Sequence, residues 1–235
     1  MLSKTPYICV YITQIQIMNF KAINYTDYEQ ELPQVGKHIL AQQTNDYILV
    51  FQAFRHSIAN YALKNQKFGG ADYSYSRMSW IKPNFLWMMY RSGWAQKPGQ
   101  ERILGIWMKK THFEKILLNS TFTSFAQSSY PSEGEWRATL DSHPIRLQWD
   151  PDHFPNGEKH VRKAIQLGLK GELLEEFGKE MVEEIIDFTE FVNSQSQHAL
   201  HAPYKNLQVA EETIFQPASQ DLIQKIGLDN FETTS

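Results

Sequence analysis

Residues 83–93 constrain the fold more than any other stretch. Pro83 suits the first turn of a helix, where its missing N–H costs nothing. Phe85, Leu86, Trp87, Met88 and Met89 follow, apolar on nearly every side of that helix. A helix with no polar face is buried. Gly93 suits the position after it, where a left-handed backbone is needed. The fold must therefore enclose a short helix that is apolar on nearly every side.

The flanking sequence supplies short elements of both kinds. Residues 47–52 (YILVFQ) read as a buried strand. Ser57 is a candidate N-cap for a helix to about Gln66, with Ile58, Tyr61 and Ala62 on one face, and Gly69-Gly70 leads out into a polar loop. Lys97-Pro98-Gly99 marks a turn, and residues 102–109 alternate as a strand. Thr111 and Glu114 form a capping box for a helix with Phe113, Ile116 and Leu117 inward. Residues 120–135 read as a Ser/Thr-rich loop. Residues 145–149 read as a strand ended by Asp150-Pro151, and 163–169 as another strand. Residues 171–193 carry the strongest helical pattern, with Leu173, Leu174, Phe177, Met181, Ile185 and Phe188 spaced three and four apart.

This irregular mixture predicts an α+β fold, a mixed and mainly antiparallel sheet with packed helices in one compact domain over 18–195. Residues 1–17 are expected to be an N-terminal extension, with Met18 an alternative start, and 196–235 an irregular, partly flexible tail. With 42% hydrophobic residues in 235, the chain can bury a core unaided. The lone Cys9 excludes an internal disulfide, no apolar run reaches membrane-span length, and a cytoplasmic location is expected. His153/His160 and His198/His201 lack the carboxylate or cysteine company of a metal site, so no metal is expected.

Charge and aromatics coincide in one place. Between Arg77 and Lys115 there are eight basic residues and two acids, 8 − 2 = +6. From Glu172 to the end there are three lysines and thirteen acids, 3 − 13 = −10. Four of the six tryptophans lie between Trp80 and Trp107. Indole rings stack on flat heterocycles, and guanidinium groups grip phosphates through paired N–H bonds. Arg77, Trp80, Lys82, Trp87, Tyr90, Arg91 and Trp94 are therefore candidate ligand contacts, against the plainer reading that the indoles fill the core. Trp80, Trp87 and Trp94 recur every seven residues, but Pro83 excludes a coiled coil. Glu101 precedes a strand and Asp150 ends one. Each is a candidate acid or base, or else a surface pair and a turn cap respectively. Gln148, Arg162 and Gln166 are candidates to face the same cleft as Asp150. Walker A, G-x-G-x-x-G and G-x-S-x-G motifs are absent.

These residues carry a resemblance. Phe51-Gln52-Ala53 with Ile58-Ala59, the block from Arg77 to Trp94, Gln100-Glu101-Arg102, residues 144–151 and residues 165–169 resemble the family called domain of unknown function 4291. The chain departs from it at Asp152-His153, where Glu-Arg is expected. A second resemblance, to ADP-ribosyltransferases, rests on Phe51-Gln52-Ala53, the helix after it and Phe68-Gly69. Gln52 stands where those enzymes have Arg or His, and their late-strand Glu has Asp150 or Gln166 as its nearest counterpart.

That second resemblance implies a nucleotide-using transferase with NAD as cofactor. In it Arg77, Lys82 and Arg91 would hold phosphates, a Trp would stack on the nicotinamide and Gln52 would touch a ribose. Asp150 or Glu101 would stabilise the cation formed as the glycosidic bond breaks. The alternative from another class is a non-catalytic nucleic-acid-binding module using the same basic aromatic face. A third possibility is an interaction protein whose tryptophans are all core.

Overall fold

A computed structural model of the protein describes residues 20–229. In chain order the elements are β1 (Ala22–Asn24), α1 (Tyr25–Glu31), β2 (Ile39–Ala41), β3 (Tyr47–Phe54), α2 (His56–Asn65) and β4 (Ser79–Ile81). There follow α3 (Phe85–Ser92), β5 (Arg102–Lys109), α4 (Lys110–Leu118), β6 (Ser120–Phe122), α5 (Glu133–Ser142), β7 (Ile145–His153) and β8 (Lys159–Leu169). The last third holds α6 (Gly171–Glu176), β9 (Val182–Asp187), α7 (Thr189–Ser196), β10 (Gln208–Ala210), β11 (Thr213–Phe215) and α8 (Gln220–Ile226). The fold is α+β, with mixed and mainly antiparallel sheets. No helix of the described residues is long and apolar enough to cross a membrane.

Strand β3 explains the architecture. Ile48 and Val50 point into one hydrophobic cluster, Leu49 and Phe51 into another, and all four are fully buried. A strand apolar on both faces needs a layer on each. The sheet β3-β5-β9 is antiparallel throughout. On one side it meets α2, α4 and the second sheet, β4-β8-β7-β6. On the other side lie α1, α3 and α7. The two sheets join at one bridge: Phe51 N donates to Lys82 O at 2.6 Å, and Lys82 N donates to Phe51 O at 3.1 Å.

Helix α3 is as buried as its composition demands, from Phe85 to Met89. Asn84 caps it, accepting from Trp87 N at 2.6 Å, and Gly93 ends it in the left-handed region at φ 59°. Phe85 N donates to Glu212 Oε1 at 2.5 Å, so a distant carboxylate also sits at this positively polarised helix start.

Several expectations are corrected. Residues 171–193 are not one helix: α6 ends at Glu176, a wide turn over 177–181 follows, and β9 pairs with β5. The three-and-four spacing survives because Leu173, Leu174, Phe177, Met181 and Ile185 all reach one core across that turn. The adjacent β-branched pair Ile185-Ile186 faces two different clusters, which a strand allows. Residues 208–226 are built into the fold: β10 pairs with β1, β11 pairs with β2, and α8 buries Leu222, Ile223 and Ile226. Asp150-Pro151 does not end β7, which continues to His153 through a bulge. Residues 120–135 include β6 and the start of α5. Lys109 stands at the N-cap of α4, and Glu114 instead accepts from Ala218 N at 2.9 Å. The expectations for 1–17, including Cys9 and Met18, lie outside the described residues.

Candidate functional site

A cleft of about 480 Å³ opens where the β3–β4 junction meets α3. Such a volume suits a small organic ligand. Gln52, Arg77, Trp80, Lys82, Trp87, Arg91 and Gln166 all line it, seven of the thirteen residues that sequence reasoning nominated. The fold positions each differently. Gln52 comes from β3, Trp80 from β4 and Lys82 from the bridge just after it. Trp87 and Arg91 are one helical turn apart on α3, and Gln166 lies on β8. Arg77 and Arg91 are exposed at the rim, and Lys82 is buried.

The electrostatics are one-sided. Three cations line the cleft, and among the described residues that line it there is no carboxylate. Lys82 makes no ion pair among the described residues. Its Nζ sits 4.9 Å from the centre of the Trp87 ring and 3.5 Å from the Trp80 carbonyl. Burial, and then the Arg91 charge, push its amine down from 10.5 to about 7, while Asp150 opposes them. Arg91 Nη1 donates to the Gln100 side-chain oxygen at the rim.

The walls are set by close packing. Trp80 pairs with Gly168 across the β4–β8 register. A Cβ on Gly168 would lie 2.9 Å from the Trp80 ring and 2.7 Å from Met78 Sδ, so only glycine lets the indole lie on β8. Gln52 Nε2 donates to Ser79 Oγ at 2.8 Å and to Trp80 O at 3.2 Å, while its Oε1 is buried without a partner among the described residues. Trp87 Nε1 is also buried without a partner among them.

The other six nominated residues sit elsewhere. Asp150 stands behind the wall, accepting from Gln166 Nε2 and Gln148 Nε2, each at 2.7 Å. Glu101 accepts from Gly99 N at 2.7 Å and faces the charges of Arg55 and His56, which with those backbone contacts hold its carboxyl below the usual range. Tyr90 lies flat on His153, centroids 3.5 Å apart. Trp94 donates to Pro155 O at 3.0 Å and packs edge-on to Phe85.

Arg162 is a clear correction, because it is fully buried. Its Nε donates to Asp152 Oδ2 at 2.8 Å and its Nη1 to Pro33 O at 2.9 Å, with Glu29 also paired. No surface remains for a ligand. Ser79 and Gln100 line the cleft without having been nominated. Ser79 has a weak signal, a polar residue inside the Trp block. Gln100 carries no local signal that sets it apart from its neighbour Glu101.

A larger hollow of about 650 Å³ lies beside α4, α5 and α6. It mixes Lys115 and Lys170 with Asp141, Glu172 and Glu176, and Lys115 pairs with Glu176 at 2.5 Å. It has no Trp, Tyr or Phe among its lining residues, and its three carboxylates outnumber its two lysines, so it does not call for an anion. The smaller cleft is the better candidate on chemistry. No group of His, Cys, Asp and Glu among the described residues is arranged to hold a metal ion.

The family model described as "Domain of unknown function (DUF4291)" matches residues 38–215. That span contains every residue lining the cleft. No curated protein matches the chain.

Proposed function

The chain belongs to the domain of unknown function 4291 family, and from its cleft we propose that it binds a nucleotide. The phosphates lie against Arg77, Lys82 and Arg91, and the base or another flat ring lies against Trp80 or Trp87. One observation carries this reading: three cations and two indoles line one cleft to which no carboxylate among the described residues contributes. An anionic ligand supplies the missing charge, and arginine forks suit phosphate oxygens.

The finer proposal is a nucleotide-using transferase resembling ADP-ribosyltransferases, with NAD as the nucleotide. Gln52 and Gln166 on opposite strands of the wall support it, since both stand at positions that the resemblance assigns to the site. Breaking a glycosidic bond develops positive charge on the sugar. The nearest nominated carboxylate, Asp150, would act on that charge through Gln166 and not by touching the sugar. Glu101 has no part in this version.

Calorimetric titration with NAD, ADP and inorganic pyrophosphate tests the binding. Affinity should fall in an Arg77→Ala/Arg91→Ala double variant and weaken with salt. Folded protein that takes up none of the three at millimolar concentration overturns the reading. Release of nicotinamide from NAD separates transfer from binding alone. Binding of single-stranded oligonucleotide in preference to all three would favour the nucleic-acid module instead.

A further inference from the structure

The two glutamines on the cleft wall have a fixed polarity. Gln166 gives its amide nitrogen to Asp150, and a carboxylate can only accept. The other Asp150 oxygen is taken by Gln148. Gln52 gives its amide nitrogen to Ser79 Oγ and to the Trp80 carbonyl, which also can only accept. Turning either amide over would set oxygen against oxygen. Both Gln52 N–H groups are spent in this way, so what remains of that side chain for a ligand is the carbonyl oxygen, an acceptor, while Gln166 keeps its carbonyl oxygen and its second N–H. The Gln52 oxygen is buried with no partner among the described residues, a costly arrangement unless a ligand donor completes it.

We propose that the Gln52 and Gln166 carbonyl oxygens read hydroxyl groups on the ligand, so that the cleft selects a hydroxylated sugar phosphate, a ribonucleotide, over the same molecule without its sugar hydroxyls. The proposal rests on the nucleotide reading and narrows it. Cations attract the phosphates of any nucleotide alike. The pinned Gln52 oxygen rejects a sugar that has no O–H to give, because it then stays buried without a donor. Asp150 is the positioning residue. It touches no ligand and sets which end of Gln166 the ligand meets.

The test compares ADP with 2′,3′-dideoxy-ADP by calorimetry, with inorganic pyrophosphate as the probe that carries no sugar. Wild-type protein should bind ADP roughly 10–100-fold more tightly than the dideoxy compound. Gln52→Leu and Gln166→Leu should each bring that ratio towards one. Asp150→Asn should lower it as well, although this residue does not line the cleft, which a merely structural role would not do. If Gln52→Leu does not fold, Gln166→Leu on the half-buried strand face carries the test. Equal affinity for ADP and its dideoxy form in the wild type overturns the proposal while the phosphate-binding reading stands. A ratio unchanged in folded Gln166→Leu and Asp150→Asn also overturns it. No binding of ADP or pyrophosphate at all defeats the underlying reading, and the proposal with it.

Discussion

Two buried cations in this molecule live by opposite rules. Arg162 is enclosed completely, and every side of its guanidinium is answered by Asp152, Glu29 or the Pro33 carbonyl. Lys82 is nearly as buried but meets an indole face, a distant carbonyl and the like charge of Arg91. The first arrangement is what a structural charge requires, since an isolated buried ion is prohibitively costly. The second fits a charge whose partner comes from outside. The contrast also explains why Arg162, chosen on sequence grounds beside Lys82, is no site residue.

Breaking the Arg162 pair should produce the largest effect. Asp152→Ala leaves a guanidinium buried with one carboxylate fewer, and should cost about 3–5 kcal/mol in chemical denaturation. Loss of only a few tenths would put the two cations in one class.

Gly168→Val should come next. The added side chain meets Trp80 and Met78 at under 3 Å, so stability should fall by about 1–3 kcal/mol. Nucleotide affinity should be lost as the indole is displaced. Tryptophan fluorescence and calorimetry read both effects.

Lys82→Met should move stability the other way or not at all near pH 7, because it removes a desolvated amine. The sign follows from the lowered pKa. The folded lysine loses its proton near 7 and the unfolded one near 10.5, so the unfolded chain holds more protons between those values. Wild-type stability therefore gains from this group as pH rises from 7 to 10.5. The methionine variant should show a flatter profile over that window. An identical pH profile in the two proteins would show that the amine is not desolvated.

Arg77→Ala/Arg91→Ala should have the smallest effect on folding, within about 0.5 kcal/mol, because both side chains are exposed at the rim. Its effect on ligand affinity should be large. A rim that mattered to stability would weaken the distinction between charges kept for folding and charges kept for a ligand.

Local physics made much of this legible in sequence. Helix α3 announced itself through the apolar run Phe85 to Met89 and through Gly93, although Pro83 lies before its Asn84 cap and not in its first turn. Strand β5 covers the expected span, 102–109, but is buried on both faces where alternation predicted one. The cleft's cations and indoles were visible because most come from one contiguous block. What escaped depended on distant partners. Strand β9 looked helical because its apolar spacing also suits a helix, and only the open edge of β5 decides otherwise. Asp152 as the partner of Arg162, ten residues on, needed the antiparallel return of β7 onto β8. Glu101 and Gln100 are neighbours, and no local signal says which one turns towards Arg91.

The carboxylate of Glu212 has a last consequence. Burial pushes it up to about 8 even though Tyr28, Asn84 and the Phe85 amide all donate to it. It holds the start of the helix that carries Trp87 and Arg91, yet it lies 127 residues further along the chain than Phe85. As the chain leaves a ribosome, α3 must wait for most of the protein to be synthesised before its clamp arrives. A nascent chain stopped shortly before residue 212 would hold every cleft residue and still lack the contact that secures that helix.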